Sequence, residues 1–458
     1  MDYPYINEIL KQLLSDSFSI FCGSGATADL TKKKWEDIFS KKTRKFYKSK
    51  FSEDIYLLSD LEKSYYNKDN FYKEIIKNLQ IKEESESKHI NAIIDLNLNQ
   101  IWTTNFDEII EQTIRRKFDI EPVVLATSND LFTQNLNGEY VVYKLNGTIN
   151  TPDSMVLTKS DFFDYFKKQR LFFELLKRQL VLDSFLFIGY SFQDDLVLNA
   201  LREIKEIFPH KGKIHYRFFV PQYNKKSELE LKKEFYIYEQ RYFEDKYNIK
   251  TIPLDSFSQI DDYLQELYKR FCNHNVLFCG SFRNISNELR LKIENIIDAL
   301  IDKLFINDFN VYSGNGRGIG EIIVARAALH AKAHNNRFIN RPLIFTGDDE
   351  DVKKIKNKKI EKDCNTMIII CGQDESLENS RNVKNQFDQF KYGGNKLIIP
   401  IPITEYAAKE IFESEAFRKL DCYKTMKDRF ERLAACENPE EIANLIVNMI
   451  LQNRKEPS

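Results

Sequence analysis

Short apolar runs without polar alternation recur along this chain, and they limit the folds that it can adopt. They occupy residues 18–22, 100–103, 140–145, 185–189 and 216–220, and then residues 276–281, 366–372 and 396–400. Strands that are apolar on both faces are typical of a parallel sheet covered by helices on both sides. Many of these runs are separated by segments whose apolar residues recur at helical spacing. In residues 289–304, for example, they line one face of a helix. The sequence therefore predicts an α/β protein.

The strand series starts twice, which indicates two domains. A chain of 458 residues is longer than one typical core, and a fresh strand–turn–helix series begins at residue 276. We expect two Rossmann-like parallel-sheet domains, residues 1–273 and 274–458, with a further strand of the second at 342–345. Residues 35–98, rich in Lys, Glu and aromatic residues at helical spacing, are predicted to be a helical insertion in the first domain.

The composition excludes several classes of partner. The 68 basic and 69 acidic side chains give a net charge of -1, so no overall field attracts nucleic acid or an anionic membrane. No apolar run approaches the ~20 residues that a membrane span needs, and the polar N-terminus is unlike a signal peptide. The 7 cysteines include no Cys-x-x-Cys pair, which excludes a zinc ribbon. We expect a cytoplasmic protein without a metal.

Three short segments of the first half carry the chemistry. Residues 18–26 (Phe-Ser-Ile-Phe-Cys-Gly-Ser-Gly-Ala) run from a strand into a glycine turn, which allows backbone N–H groups to approach a phosphate. Residues 102–107 (Trp-Thr-Thr-Asn-Phe-Asp) and 144–148 (Lys-Leu-Asn-Gly-Thr) follow further strands. In this order the segments resemble the NAD-binding core of the sirtuin superfamily. Asp107 is equally suited to cap a helix predicted at 108–117.

The resemblance implies an NAD+ site and its residues. Asn105 and the residue at position 146 would be catalytic, with the asparagine amide holding a ribose hydroxyl or a water. Residues 187–192 resemble the loop of the family that binds ribose and adenine. The implied contacts to NAD+ are Gly23, Ser24, Gly25, Ala26, Asp107, Gly189 and Ser191.

One position departs from the family pattern. The family carries Lys-Leu-His-Gly, but this chain has Asn146 in place of the histidine. Histidine titrates near neutrality and can accept a proton, whereas an amide only forms hydrogen bonds. Asn146 is an introduced substitution that traps a ligand, a natural weakening of the site, or a sign that another group is the base. We favour the first because the other elements of the site are intact.

Sirtuins also remove acyl groups from proteins, with a four-cysteine zinc module and an acyl-lysine channel. The only sizeable insertion in this sequence, residues 35–98, contains no cysteine. The resemblance therefore implies hydrolysis of NAD+ to ADP-ribose and nicotinamide rather than deacylation.

The second half has its own glycine-rich turns after strands. Residues 280–283 and the run 313–320 (Ser-Gly-Asn-Gly-Arg-Gly-Ile-Gly) resemble the SLOG family of Rossmann-like domains, which bind ligands derived from nucleotides. By resemblance, Lys359 would meet a phosphate and Asp388 a ribose hydroxyl, although both are also consistent with a solvated helix. The full set of implied effector contacts is Gly280, Ser281, Phe282, Arg283, Ser313, Gly314, Asn315, Gly316, Arg317, Lys359 and Asp388.

A sirtuin-like domain followed by a SLOG domain is the layout of effectors of the bacterial Thoeris antiphage systems. The resemblance implies a circuit in which a partner TIR-domain protein makes a cyclic ADP-ribose isomer. The SLOG domain binds that isomer and the sirtuin-like domain then depletes NAD+. Members of this family are homo-oligomers, commonly tetramers that stack into filaments.

Two alternatives belong to other classes of function. Asn146 favours a non-catalytic regulator that binds NAD or another nucleotide. A phosphoribohydrolase in the second domain would cleave AMP, but residues 382–387 have nothing like the Pro-Gly-Gly-x-Gly-Thr-x-x-Glu signature of those enzymes.

Overall fold

A computed structural model describes most of the chain. The described residues are 3–31, 35–52, 54–66, 68–79, 86–133, 140–192, 195–209, 212–221, 229–313, 316–333, 362–374, 378–391 and 396–454. They form two compact units, the first of Met1–Gln12 and Ser17–Tyr268 and the second of Leu13–Asp16 and Lys269–Ser458.

The first unit is built on a seven-stranded parallel sheet. Its strands are β1 (Phe18–Cys22), β2 (Gln100–Thr103), β3 (Val123–Leu125), β4 (Val141–Lys144), β5 (Ser184–Ile188), β6 (His215–Phe219) and β7 (Ile249–Pro253). Their spatial order is β3-β4-β2-β1-β5-β6-β7. From the central β1 the chain first builds one side of the sheet and then crosses to β5 on the other side. The strand order therefore reverses beside β1, which is where ligands bind in open α/β sheets.

Helices cover both faces of this sheet. They are α1 (Ile6–Leu14), α2 (Ala28–Thr31), α3 (Lys41–Lys48), α4 (Ile55–Tyr65), α5 (Lys68–Leu79), α6 (Lys88–Asp95), α7 (Ile109–Phe118), α8 (Asp130–Thr133), α9 (Lys159–Lys168), α10 (Arg170–Leu182), α11 (Asp195–Ile207), α12 (Leu229–Tyr247) and α13 (Ser258–Cys272), with 3-10 turns at Ser24–Thr27, Trp35–Ile38 and Pro152–Ser154. The described part of residues 35–98 is helical, as predicted, and Phe39, Phe71 and Ile75 share a buried cluster with Phe106 of the 102–107 segment. The insertion therefore supports one wall of the predicted NAD+ site.

The second unit contains a smaller parallel sheet. Its strands are β8 (Asn275–Ser281), β9 (Asn310–Ser313), β10 (Thr366–Cys371) and β11 (Leu397–Pro400), in the order β11-β10-β8-β9. Its helices are α14 (Asn287–Ile306), α15 (Ile319–Ala333), α16 (Arg381–Phe390), α17 (Tyr406–Glu413), α18 (Glu415–Arg418), α19 (Asp421–Thr425), α20 (Lys427–Ala435) and α21 (Pro439–Asn453), with a 3-10 turn at Pro402–Thr404.

The two parallel sheets confirm the predicted fold class of two Rossmann-like α/β domains. The apolar face predicted at residues 289–304 is buried in α14, from Ile293 to Leu304. The strand predicted at 342–345 lies outside the described residues. Within the described ranges, every helix is too short or too polar to cross a bilayer.

Candidate functional site

The carboxyl ends of four neighbouring strands form one edge of the first sheet. Cys22 at the end of β1 is in register with Thr103 of β2 and Ile188 of β5, and Thr103 is in register with Lys144 of β4. The glycine turn, residues 104–107, residues 145–148 and residues 189–191 therefore leave the sheet side by side. The structure thus brings the predicted NAD+-binding segments to the point where the strand order reverses.

The glycine turn is pressed against the loop after β5. The N–H of Gly23 donates to the carbonyl of Ile188 at 2.9 Å, and that of Gly25 donates to Gly189 at 2.9 Å. Gly189 has a φ of +64°, and a Cβ there would lie 2.1 Å from the nitrogen of Ala26. These glycines are needed because two backbones approach each other more closely than side chains allow.

This geometry changes the predicted role of the turn. The amides of Gly23 and Gly25 already donate to the protein itself, so Ser24, exposed at the tip, is better placed to meet a phosphate. Among the described residues, a 3-10 turn, Ser24–Thr27, and α2 follow the glycines. The contacts of these residues to NAD+ remain predictions.

Asn105 is held by its neighbours but keeps a free acceptor. Its N–H donates to Thr103 Oγ1 at 2.9 Å, and its Nδ2 donates to Thr27 Oγ1 at 3.4 Å. The residue is 5% exposed, yet Oδ1 has no hydrogen-bond partner among the residues that the structure describes. Thr27 and Thr103, which sequence reasoning missed, orient the amide so that its oxygen stays available.

Asn146 has the same property. It is 5% exposed, and within the described ranges its Oδ1 also lacks a hydrogen-bond partner. Its carbonyl accepts from the N–H of Val156 at 2.9 Å. Gly147 follows with a φ of +88°, and a Cβ there would lie 2.2 Å from the carbonyl oxygen of Ser154. The backbone around position 146 is therefore fixed by contacts that do not involve its side chain.

Two buried, unpaired amide oxygens at one sheet edge point to a ligand. A buried acceptor without a donor costs about 1–3 kcal/mol, so folded proteins rarely leave one unsatisfied without a reason. Asn105 and Asn146 lie in loops that leave the adjacent strands β2 and β4. A bound molecule that supplies hydroxyl donors, such as a ribose, would satisfy both.

A buried ion pair joins these two loops. Lys144 is fully buried, and its Nζ lies 2.7 Å from Glu111 Oε1 and also donates to the carbonyl of Asp107. The N–H of Ile149 donates to the carbonyl of Phe106 at 3.1 Å. Sequence reasoning missed this pair; its only signal was a lysine at the end of an apolar strand, followed by the Asn-Gly turn.

Asp107 lies just before helix α7, which begins at Ile109 with Glu108 as its N-cap residue. Asp107 Oδ1 accepts from the N–H of Ile109 at 3.1 Å. Burial raises the pKa of Asp107 to about 6, and nearby Lys144 opposes the shift. Burial and the Asp107 charge likewise raise the pKa of Cys22, so this thiol stays protonated. In this structure Asp107 is a capping group, and its predicted contact to NAD+ remains a prediction.

The histidines of this unit that the structure describes have other partners. His89, on α6, lies 2.6 Å from the carboxylate of Asp261 through Nδ1. His215 Nδ1 accepts from the N–H of Phe185 at 3.1 Å, and burial lowers its pKa to about 3. Neither contact places a histidine at Asn146. Ser191 is exposed at the edge of the site, beside the buried Phe192.

The second unit also brings glycine turns to the carboxyl edge of its sheet. A Cβ on Gly316 would lie 1.8 Å from the carbonyl oxygen of Gly280, and Gly318 (φ +80°) packs on the ring of Phe282. The N–H of Phe282 donates to the carbonyl of Arg317 at 2.9 Å. The two predicted segments are therefore adjacent. Phe282 is buried beneath Gly318, whereas Arg317 is exposed.

Gln373 organises this edge, and sequence reasoning missed it. Its Oε1 accepts from the N–H groups of Arg283 and Asn284 at 3.1 and 2.9 Å, and its Nε2 donates to the carbonyl of Asn284 at 2.9 Å. Ser281 Oγ donates to the Gln373 carbonyl at 2.8 Å. The side chain of Gln373 is 3% exposed and thereby shapes the loop that carries Arg283.

The other predicted effector contacts fall elsewhere. Gly314, Asn315 and Lys359 lie outside the described residues, while Ser313 is buried at the end of β9. Asp388 lies in the last turn of α16, paired with Lys391 at 2.5 Å. That end of the helix is remote from its start after Ser380, which follows β10. The contact of Asp388 to a ribose remains a prediction.

Two protein families match this chain in succession. Residues 99–252 match the SIR2-like domain family. Residues 259–453 match the Sir2- and TIR-associating SLOG family.

Relatives that extend over most of the chain share one name. NAD(+) hydrolase ThsA of Bacillus cereus is 24% identical, over 89% of this chain and 88% of the relative. The protein of that name from Cytobacillus dafuensis is 25% identical, over 97% and 95%, and that from Enterococcus faecium is 26% identical, over 83% and 81%. The chain thus joins a SIR2-like domain to a SLOG domain, and over most of its length it is similar to proteins named NAD(+) hydrolase ThsA.

Proposed function

We propose that this chain is an NAD+ glycohydrolase that cleaves NAD+ to ADP-ribose and nicotinamide, with its activity reduced by Asn146. The observation that carries the proposal is the pair of buried, unpaired oxygens on Asn105 and Asn146 at the reversal point of the strand order. The names of the relatives support the choice of substrate.

Cleavage of the bond between nicotinamide and ribose passes through a transition state that resembles an oxocarbenium ion. Asn105 would hold a ribose hydroxyl or the attacking water through Oδ1, and the lack of a partner for this atom among the described residues supports the role. A group at position 146 would then accept a proton from the attacking hydroxyl. An asparagine cannot do so, and loss of a general base lowers the rate by about 10²–10⁴-fold.

The SLOG domain would bind the activator, a cyclic ADP-ribose isomer made by a TIR-domain partner during phage infection. Gly280 and Gly316 allow the two turns to pack closely against each other, and the exposed Arg317 beside them would supply charge to a phosphate. Activation requires the isomer to bind one state of the protein more tightly than another. Depletion of NAD+ in the cytoplasm would then stop phage growth.

A non-catalytic regulator is the second candidate, because Asn146 leaves the site able to bind NAD+ without a base. One variant distinguishes the two proposed functions. We expect Asn146→His to restore hydrolysis of a fluorescent NAD+ analogue, by about 10²-fold or more over the unchanged chain when an activating isomer is present.

The design needs a binding readout beside the rate. Asn146→Ala is the matched control and should hydrolyse no faster than the unchanged chain, while calorimetry measures NAD+ binding to each variant. If Asn146→His binds NAD+ and the isomer but hydrolyses no NAD+, the regulator is correct. If no variant binds NAD+, both candidates are wrong.

A further inference from the structure

A cavity of about 380 Å³ lies at the amino edge of the first sheet, opposite the edge that carries the predicted NAD+-binding segments. Its walls come from the C-terminal halves of α10, α11 and α12 and from the start of β6. They are mainly apolar, with Leu180, Leu201, Ile204, Phe208 and Tyr247. Sites for small molecules have this size and this composition, with a few polar groups that fix the ligand.

His215 supplies a buried polar group to the cavity wall. The residue is 2% exposed and lines the cavity. Its Nδ1 accepts from the N–H of Phe185 at 3.1 Å, so the neutral ring carries its proton on Nε2. This is the only hydrogen bond of the ring to a described residue. The Nε2–H group therefore has no acceptor among the described residues, and a buried donor of this kind favours a ligand that supplies one.

Two lysines also line the cavity, and both donate to the protein. Lys205 Nζ donates to Asn248 Oδ1 at 3.0 Å and to the carbonyl of Asp245. Lys213 Nζ donates to Gln12 Oε1 at 3.2 Å. The positive charges of these lysines disfavour a cationic ligand.

Three helix ends disfavour an anion at the same place. Helices α10, α11 and α12 all end at this edge of the sheet, and the C-terminal end of a helix carries about half a negative elementary charge. The charges of Lys205 and Lys213 offset these helix ends. An uncharged ligand that offers an acceptor to His215 therefore fits the cavity best.

We propose that this cavity is a binding site for a small, uncharged, apolar carbonyl compound. The carbonyl oxygen accepts from His215 Nε2, and the apolar body packs against α10, α11 and α12. The site is separate from the predicted NAD+ site, and the inference does not depend on the residue at position 146. Because Phe208 and Tyr247 give the walls an aromatic character, a phenyl ketone, acetophenone, is the probe.

A set of four related compounds tests the chemistry of the site in the full-length chain, by isothermal calorimetry. Acetophenone should bind about fivefold more tightly than ethylbenzene, which has the same ring but no acceptor. Benzoate and benzylammonium, the charged analogues, should bind more weakly than acetophenone. The proposal is overturned if ethylbenzene binds as tightly as acetophenone, or if either charged analogue binds more tightly.

His215→Asn tests the hydrogen bond to the ligand. The asparagine Oδ1 can accept from the N–H of Phe185 as Nδ1 does, but no donor then reaches the position of Nε2. The affinity for acetophenone should fall about fivefold, while that for ethylbenzene stays within about twofold. Equal changes for the two compounds would show that His215 does not bind the carbonyl oxygen.

Ile204→Trp fills the cavity from α11 and leaves His215 in place, so it tests the site even if His215→Asn does not fold. It should abolish acetophenone binding, and circular dichroism checks that the variant is folded. Ile207→Trp is the matched control, since Ile207 is 69% exposed on the same helix and lies outside the cavity wall. It should bind acetophenone as the unchanged chain does. Equal binding by the two tryptophan variants, or displacement of acetophenone by NAD+, would contradict a separate site in this cavity.

Discussion

Lys144→Met leaves the carboxylate of Glu111 buried without its cation. Both side chains are essentially inaccessible, at 0% and 2% exposure, and their contact is 2.7 Å. Removal of one partner from such a pair costs about 3–5 kcal/mol because a charge stays desolvated and unpaired. For a unit of this size each kcal/mol lowers the melting temperature by about 2–4 °C, so we expect a fall of about 6–20 °C.

The double variant Lys144→Met/Glu111→Leu separates the ion pair from packing. It removes both charges and should recover part of the loss. The carbonyl of Asp107 would still lack the Lys144 donor, so about 1–3 kcal/mol of the destabilisation should remain. Thermal unfolding of the full-length protein, followed by circular dichroism, measures the transition of the first unit.

Lys168→Met is the matched control, since Lys168 forms an exposed pair with Asp164 on α9. Its effect should stay below about 1 kcal/mol. The reasoning is refuted if Lys144→Met melts within about 2 °C of the unchanged protein. It is equally refuted if the double variant is no more stable than the single one.

Three further outcomes follow from the described contacts. Burial raises the pKa of Asp107 to about 6 from 3.8, so ionisation of this carboxyl group disfavours folding. The free energy of unfolding of the unchanged protein, relative to that of Asp107→Asn, should therefore fall as pH rises from about 4 to about 6 and level off above about pH 6. Denaturant titrations of both proteins measure this difference. Gly189→Ala places a Cβ 2.1 Å from a backbone nitrogen and should abolish NAD+ binding, measured by calorimetry. Gly212→Ala is the control: its Cβ meets only the tip of a side chain at 3.0 Å, and NAD+ should still bind. Gln373→Ala removes three hydrogen bonds from the loop of the second site. It should weaken binding of a cyclic ADP-ribose isomer by about tenfold or more and leave NAD+ binding unchanged, both measured by calorimetry.

The sequence was sufficient for the central strands because burial on both faces leaves a clear pattern. The run 18–22 was predicted as a strand and is β1. The edge strands of the first sheet were missed. β3 has only three residues, and β7 has just two buried positions, at Ile249 and Ile252. A short or half-exposed edge strand lacks the continuous apolar run that identifies a central one.

The sequence predicted where the site lies but not the contacts that fix its geometry. The segments at 25, 105 and 146 were expected to meet, and the adjacent strands bring them to one edge. The contacts that fix their geometry join residues far apart in the chain, such as Gly25 with Gly189 and Lys144 with Glu111. No local pattern encodes a pairing across that separation, so these roles required the fold.

The backbone at position 146 is held in place by contacts that do not involve its side chain. The carbonyl of Asn146 is held by Val156, and Gly147 sets the turn with its positive φ. Neither contact uses the side chain, whose Oδ1 has no partner among the described residues. A histidine at this position would therefore have the same backbone and lie at the same edge of the sheet. Replacement of this one side chain thus changes proton transfer while the binding surface stays in place, so the rate and the affinity for NAD+ should respond independently.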